Sequence, residues 1–101
     1  MNRVPLFLNL EDICSERVLV HAEYTVGKLM LRIRERCYNT RKHPELILNS
    51  HEALFLYFKP DEESMINMTI QPITKRLHDI YSELGSPTYL CVVVKREHTF
   101  G

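Results

Sequence analysis

Residues Val4, Leu6, Leu8 and Leu10 alternate with Pro5, Phe7 and Asn9, so the chain opens with a pattern of period two. That period predicts a strand over 4–10 with one apolar face. A second alternating stretch covers 17–22, with Val18 and Val20 on one side and Arg17, Leu19 and His21 on the other. Asp12 and Ser15 are turn formers in the short link between them, which makes the pair an antiparallel hairpin. The period then changes. Val26, Leu29, Met30, Ile33 and Cys37 recur at helical spacing, and Thr25 stands where an N-cap hydroxyl is wanted. This helix is expected to lie on the sheet and to end before Pro44.

Residues 38–51 read as a polar loop with an apolar island, Leu46-Ile47-Leu48. Ala53 to Phe58 (ALFLYF) predicts a third strand. Its unbroken apolar character points to burial on both faces or a central place in the sheet. Residues 59–72 read as a long loop. A short helix follows, expected to be capped by Thr74, with Leu77, Ile80, Tyr81 and Leu84 at the spacing of one face and Gly85 as its stop. Residues 89–95, dominated by Val92-Val93-Val94, form the last strand, and 96–101 read as a flexible polar tail. The predicted order is strand, strand, helix, strand, short helix, strand. It implies an α+β domain over 1–95 of β-grasp type: a four-stranded mixed sheet, one long helix and a short second one. The first and last strands are expected to run parallel in its middle.

Composition narrows the function classes. The chain has 101 residues and no formal net charge, which argues against nucleic-acid binding. Charge is nonetheless uneven. Lys28, Arg32, Arg34, Arg36, Arg41 and Lys42 crowd 25–42 against Glu35 alone, while Asp61-Glu62-Glu63 is an acidic run. Such a basic stretch is either a solvated helix face or a contact for an acidic partner or anionic membrane. Cys14, Cys37 and Cys91 form no C-x-x-C pair, and no His lies at zinc spacing from them. Three free thiols imply a reducing compartment, and the expected location is cytoplasmic. No signal peptide or membrane-spanning run is expected.

Specific residues then resemble a known family. Arg3-Val4-Pro5-Leu6-Phe7-Leu8 resembles the first strand of the GABARAP and light-chain-three group of autophagy ubiquitin-like modifiers. Thr25-Val26-Gly27 with Arg34-Glu35-Arg36 is similar to that group's central helix, and Glu52-Ala53-Leu54-Phe55-Leu56-Tyr57 to its third strand. Ile80-Tyr81 sits where the group has its short helix. The ending Lys95-Arg96-Glu97-His98-Thr99-Phe100-Gly101 resembles a tail that closes on an aromatic residue and the conjugated glycine. The chain starts almost at its first strand, without the family's two N-terminal helices. That feature also fits the autophagy twelve-type modifier, which is joined to a protein. That relative typically ends Trp-Gly and lacks Arg-Val-Pro, so the GABARAP-type resemblance is preferred.

The resemblance implies a modifier that is not itself an enzyme and needs no cofactor or metal. Gly101 would be the conjugation residue, with Phe100 as a hydrophobic handle. Ubiquitin-like activating and conjugating enzymes, and a cysteine protease for processing or deconjugation, would be its partners. The implied acceptor is phosphatidylethanolamine, which would move the domain from the cytoplasm to the autophagosomal membrane. Receptors carrying an aromatic-x-x-aliphatic motif would add a strand to residues 17–22. By matching positions, Pro5, Phe7, Leu19 and Tyr89 would form the aromatic pocket. Val18, Val20, Tyr24 and Leu29 would form the aliphatic one. Arg17 and Arg36, with Arg3, would attract acidic flanks of the motif. For Leu19, Val20 and Leu29, plain core packing is the competing reading, and a non-conjugated interaction domain is the competing function. Cys91, among valines, reads as a buried small hydrophobe, and the five histidines are scattered without metal-ligand spacing.

Overall fold

The computed structural model describes residues 2–38, 44–48, 52–63 and 69–98. Its elements are β1 (Arg3–Leu10), β2 (Cys14–His21), α1 (Val26–Cys37), a 3-10 turn (Pro44–Leu46), β3 (Glu52–Lys59), α2 (Leu77–Glu83) and β4 (Leu90–His98). The four strands form one sheet in the order β2-β1-β4-β3. Neighbours pair antiparallel except β1 and β4, which run parallel with Leu6 beside Leu90 and Leu10 beside Val94. This is a mixed four-stranded α+β fold compatible with a β-grasp. No helix of the described residues is long and apolar enough to cross a membrane.

The period-two pattern of β1 works as the sequence implies. Val4, Leu6, Leu8 and Leu10 are buried, and Pro5, Phe7 and Asn9 are half-buried on the opposite face. Leu90, Val92 and Val94 of β4 and Leu54, Leu56 and Phe58 of β3 extend the same apolar face. α1 closes it with Val26, Leu29 and Ile33, and α2 adds Leu77, Ile80 and Tyr81. Thr25 caps α1 as expected: its hydroxyl accepts from the Lys28 N–H at 3.2 Å.

Besides β2, which runs Cys14–His21 rather than 17–22 and so takes Ser15 into the strand, three expectations change. β3 is an edge strand, not a central one. Its outward residues Ala53, Phe55 and Tyr57 are only half-buried, and its apolar run reflects one core face plus partial cover. α2 starts at Leu77 with Arg76 as its N-cap, not at Thr74. The preceding residues are used otherwise: the Val26 and Gly27 N–H groups donate to the Lys75 and Ile73 carbonyls, and the Leu77 N–H donates to the Tyr24 carbonyl. This pairing ties 73–77 to the start of α1 and delays the helix, and a turn closed by the Lys75 N–H on the Pro72 carbonyl takes up 72–75. Gly27 permits the approach, since a Cβ there would stand 3.2 Å from the Ile73 carbonyl oxygen. Gly85, at φ 84°, follows α2 in the left-handed conformation.

The third change concerns the chain's end. Arg96, Glu97 and His98, read as the start of a tail, belong to β4 and pair with Leu54, Ala53 and Glu52. Arg96 stands on the core face of the strand. Its Nε lies 3.0 and 3.1 Å from the two Glu11 carboxylate oxygens, Nη1 donates to the Ile47 carbonyl (3.1 Å), and Nη2 to the Glu45 carbonyl (2.8 Å). Glu52 adds a second carboxylate at 3.8 Å. The fully buried Tyr38 donates its hydroxyl to Glu11 at 2.7 Å. Burial alone would lower the Arg96 pKa, but the Glu11 and Glu52 carboxylates outweigh it and hold it above its ordinary value. Glu11 is thereby fixed at φ 55°, a left-handed conformation uncommon for a non-glycine residue. With Asp12 at φ 59° and the Ile13 N–H bonded to the Leu10 carbonyl (2.9 Å), it makes a hairpin turn of the primed type without glycine.

Burial, then the Glu11 hydrogen bond, pushes the Tyr38 phenol far above its ordinary pKa of 10.0. A group held protonated in the fold contributes stability below that ordinary value and loses it as pH rises past it, because only the unfolded chain then ionises. Stability should therefore fall above about pH 10, and Tyr38→Phe should flatten that decline in urea titrations run from pH 8 to 11. Arg96→Met, which strands Glu11 in a half-dry site, should cost about 2–3 kcal/mol in the same assay.

Candidate docking edge

β2 occupies one margin of the sheet, and its outer long side has no strand partner among the described residues. A strand with one free side presents N–H and C=O groups that an extended peptide can pair with. Side chains of β2 alternate between the two faces beside that margin. Arg17 and Leu19 project to the face away from α1, and Val18 and Val20 project toward it, half-buried against the core.

On the face away from α1, Phe7 of β1 is paired with Arg17, and Pro5 with Leu19. The Arg17 guanidinium stands 5.8 Å from the Phe7 ring centroid and 5.4 Å from that of Tyr89. Planar cations over ring faces are attracted by the ring quadrupole. A cleft of about 400 Å³ opens beside this cluster, floored by Phe7, Tyr89 and Cys91. Its walls are the turn after β3 (Pro60, Asp61, Glu62) and the segment after α2 (Leu84, Gly85, Pro87, Thr88). The Lys59 side chain, nearly buried, donates to the Glu62 carbonyl at 2.7 Å and holds that turn over the sheet. Leu19 remains 61% exposed, a large apolar side chain beside the open margin.

On the other face a shallow groove of about 50 Å³ runs between β2 and α1. Leu8, Val18, Leu29 and Ile33 give it an apolar floor, and Glu16, Arg32, Arg36 and Cys37 complete its lining. Arg32 and Arg36 lie one helical turn apart, so both guanidinium groups reach the same rim.

Two sets of the expected site residues lie beside the margin, one on each face, and the others lie elsewhere. Pro5, Phe7, Arg17, Leu19 and Tyr89 share the face away from α1. Val18, Leu29 and Arg36 line the helix-side groove. Val20 and Tyr24 do not line it. Both pack half-buried against the core, and the Lys28 ammonium covers the Tyr24 ring at 4.6 Å. Leu29 is both groove floor and core, with 2% exposure. Arg3, on an exposed position of β1, is paired with His21 rather than set beside either opening. Phe100 and Gly101 lie outside the described residues.

Sequence reading missed the walls. Pro60–Glu62 and Leu84–Thr88 come from two distant loops, and nothing in their local pattern announces that they meet across Phe7. Arg32 was visible only as one of a row of helix cations. Burial raises the Cys91 thiol above its ordinary pKa; Lys59 lowers it in part, and Glu62 and Asp61 add to the rise. Thiolate is therefore scarce there at neutral pH. No protein family model matches this chain, and no curated protein matches it.

If the Arg17–Phe7–Tyr89 stack shapes the cleft, Phe7→Ala should leave Tyr89 mobile. Its ring resonances should shift and sharpen in NMR spectra, and stability should drop by about 1–3 kcal/mol, less than for a fully buried Phe.

Proposed function

We propose that this chain is a ubiquitin-like modifier of the GABARAP and light-chain-three type. In this reading it docks extended receptor peptides on β2 and is conjugated through the Gly101 carboxylate to phosphatidylethanolamine. The observation that carries the reading is the open margin of β2 between an aromatic cleft and an apolar groove. An added strand places successive side chains on opposite faces. In an aromatic-x-x-aliphatic motif the two anchors are three positions apart, so they point to opposite faces. The aromatic would then enter beside Phe7, Leu19 and Tyr89, and the aliphatic beside Val18, Leu29 and Ile33.

Conjugation would follow the chemistry of glycine carboxylates. The carboxylate is first activated as an adenylate, with pyrophosphate released. A cysteine of the activating enzyme then displaces AMP to give a thioester. The amine of the acceptor finally displaces that thiol and forms an amide. Every catalytic cysteine belongs to the partner enzymes, and a glycine suits their narrow channels because it carries no side chain. Because β4 continues to His98, three residues follow the sheet in sequence, with Phe100 as the handle beside the reacting end. Two acyl chains gained in this way would anchor the domain stably, at about 0.8 kcal/mol per buried CH₂.

Incubation of the full chain with cell extract, ATP and phosphatidylethanolamine vesicles, followed by mass spectrometry, tests the conjugation half. A lipid adduct on Gly101 is the expected product, and Gly101→Ala should abolish thioester formation without altering the fold. An adduct to a protein lysine would select the autophagy twelve-type modifier, and no adduct would reduce the chain to an interaction domain. For docking, a Trp-x-x-Leu peptide should shift the amide resonances of 17–20 and of Tyr89. Leu19→Asp should weaken its binding at least about tenfold, the equivalent of 1.4 kcal/mol, while leaving conjugation intact.

A further inference from the structure

Cys14 and Cys37 stand at the same end of the molecule. Cys14 opens β2 directly after the hairpin turn, and as the partner of the buried Leu10 it lies on the core face of its strand. Cys37 closes α1, and its neighbour Tyr38 reaches the hairpin turn itself, donating to Glu11 at 2.7 Å. From there back toward Thr25, α1 and β2 keep step. Four residues advance about 6 Å along a helix, and two residues advance about 6.7 Å along a strand. Val18 and Glu16 of β2 and Leu29, Ile33 and Cys37 of α1 accordingly line one groove. Cys14 is the next residue of that strand face beyond Glu16, at the level of Cys37.

Both are half-buried thiols packed against the core. Each also borders an opening, Cys37 the helix-side groove and Cys14 a depression of about 300 Å³ beside Asp12 and Ser15. Small reagents therefore reach both. Cys91 differs, being buried in the sheet with its thiol held above the ordinary pKa.

We infer that Cys14 and Cys37 form a redox modification site, closing to a disulfide that tethers the last turn of α1 to the start of β2. The oxidant is a small disulfide of the glutathione class. One cysteine loses its proton and attacks a glutathione sulfur, which forms a mixed disulfide and releases a glutathione thiolate. The second cysteine loses its proton and attacks the protein sulfur of that bond, expelling the other glutathione. Two cysteine thiols are thus oxidised, one glutathione disulfide is reduced to two thiols, and the two protons pass to the released thiolates. The bond brings the two Cβ atoms to about 3.8 Å and fixes the hairpin end of the groove. It adds a covalent link beside the Tyr38–Glu11 hydrogen bond, which already joins the same two elements. Under reducing conditions the pair stays a dithiol.

The test incubates the reduced full chain in glutathione buffers of rising disulfide content, blocks remaining thiols by alkylation and maps the digest by mass spectrometry. The expected product is a Cys14–Cys37 cross-linked peptide, lighter by two hydrogens, with Cys91 alkylated. The oxidised chain should unfold about 5–15 °C higher, and dithiothreitol should reverse that shift. Cys37→Ser and Cys14→Ser should each abolish the link and leave a glutathione adduct on the remaining partner. Glutathione adducts on Cys14 and Cys37 of the unaltered chain without a link between them overturn the inference. So does a link between two copies, or one that forms only in urea, where the fold no longer sets which thiols meet.

Discussion

The parallel pairing of β1 with β4 is the constraint on which the remaining architecture depends. Leu6, Leu8 and Leu10 meet Leu90, Val92 and Val94 along it, and all six are buried. With these two strands at the centre, β2 and β3 can only be margins. The hairpin link forces β2 onto the free side of β1, and the antiparallel register of β3 fills the free side of β4. α1 then covers one face of the sheet. The other face is left to the turns that follow β3 and α2. The open margin of β2 is therefore a by-product of how the core is assembled, and its two flanks differ because one borders a helix and the other borders loops.

Much of this was legible in the residues. The alternation in β1, the helical spacing of Val26, Leu29 and Ile33, and the Thr25 cap are local signals, and local signals survive into the fold. The errors come from features whose cause is distant. ALFLYF is as apolar as a central strand, yet β3 sits at a margin because β4 takes the middle. Thr74 is a good cap by type, but it lies in a turn that backbone bonds between 73–77 and the start of α1 hold in place. Arg96 to His98 look like the start of a tail because they are polar. Arg96 is nevertheless held on the core face by Glu11, Glu52 and two carbonyls supplied by segments far away in sequence.

The candidate site divides along the same line. The resemblance put Pro5, Phe7, Leu19 and Tyr89 in one pocket and Val18 and Leu29 in another, and these two sets lie on opposite faces of the sheet. It assigned Val20 and Tyr24 to a pocket that they do not line, because how far a helix overlaps a strand is a packing outcome. It gave the acidic turn no role, because the meeting of Glu62 with Phe7 depends on how Lys59 anchors the chain as it leaves β3.

The central position of β4 also has a kinetic consequence. The sheet's middle joins segments from opposite ends of the chain, so loop-closure entropy must be met before its buried contacts form. During synthesis the β1–β2 hairpin and α1 emerge long before the strand that completes their core. Until β4 leaves the ribosome, the apolar side of β1 has no long-range partner along one margin. The nascent chain at that stage is a natural client for chaperones that shield exposed strands.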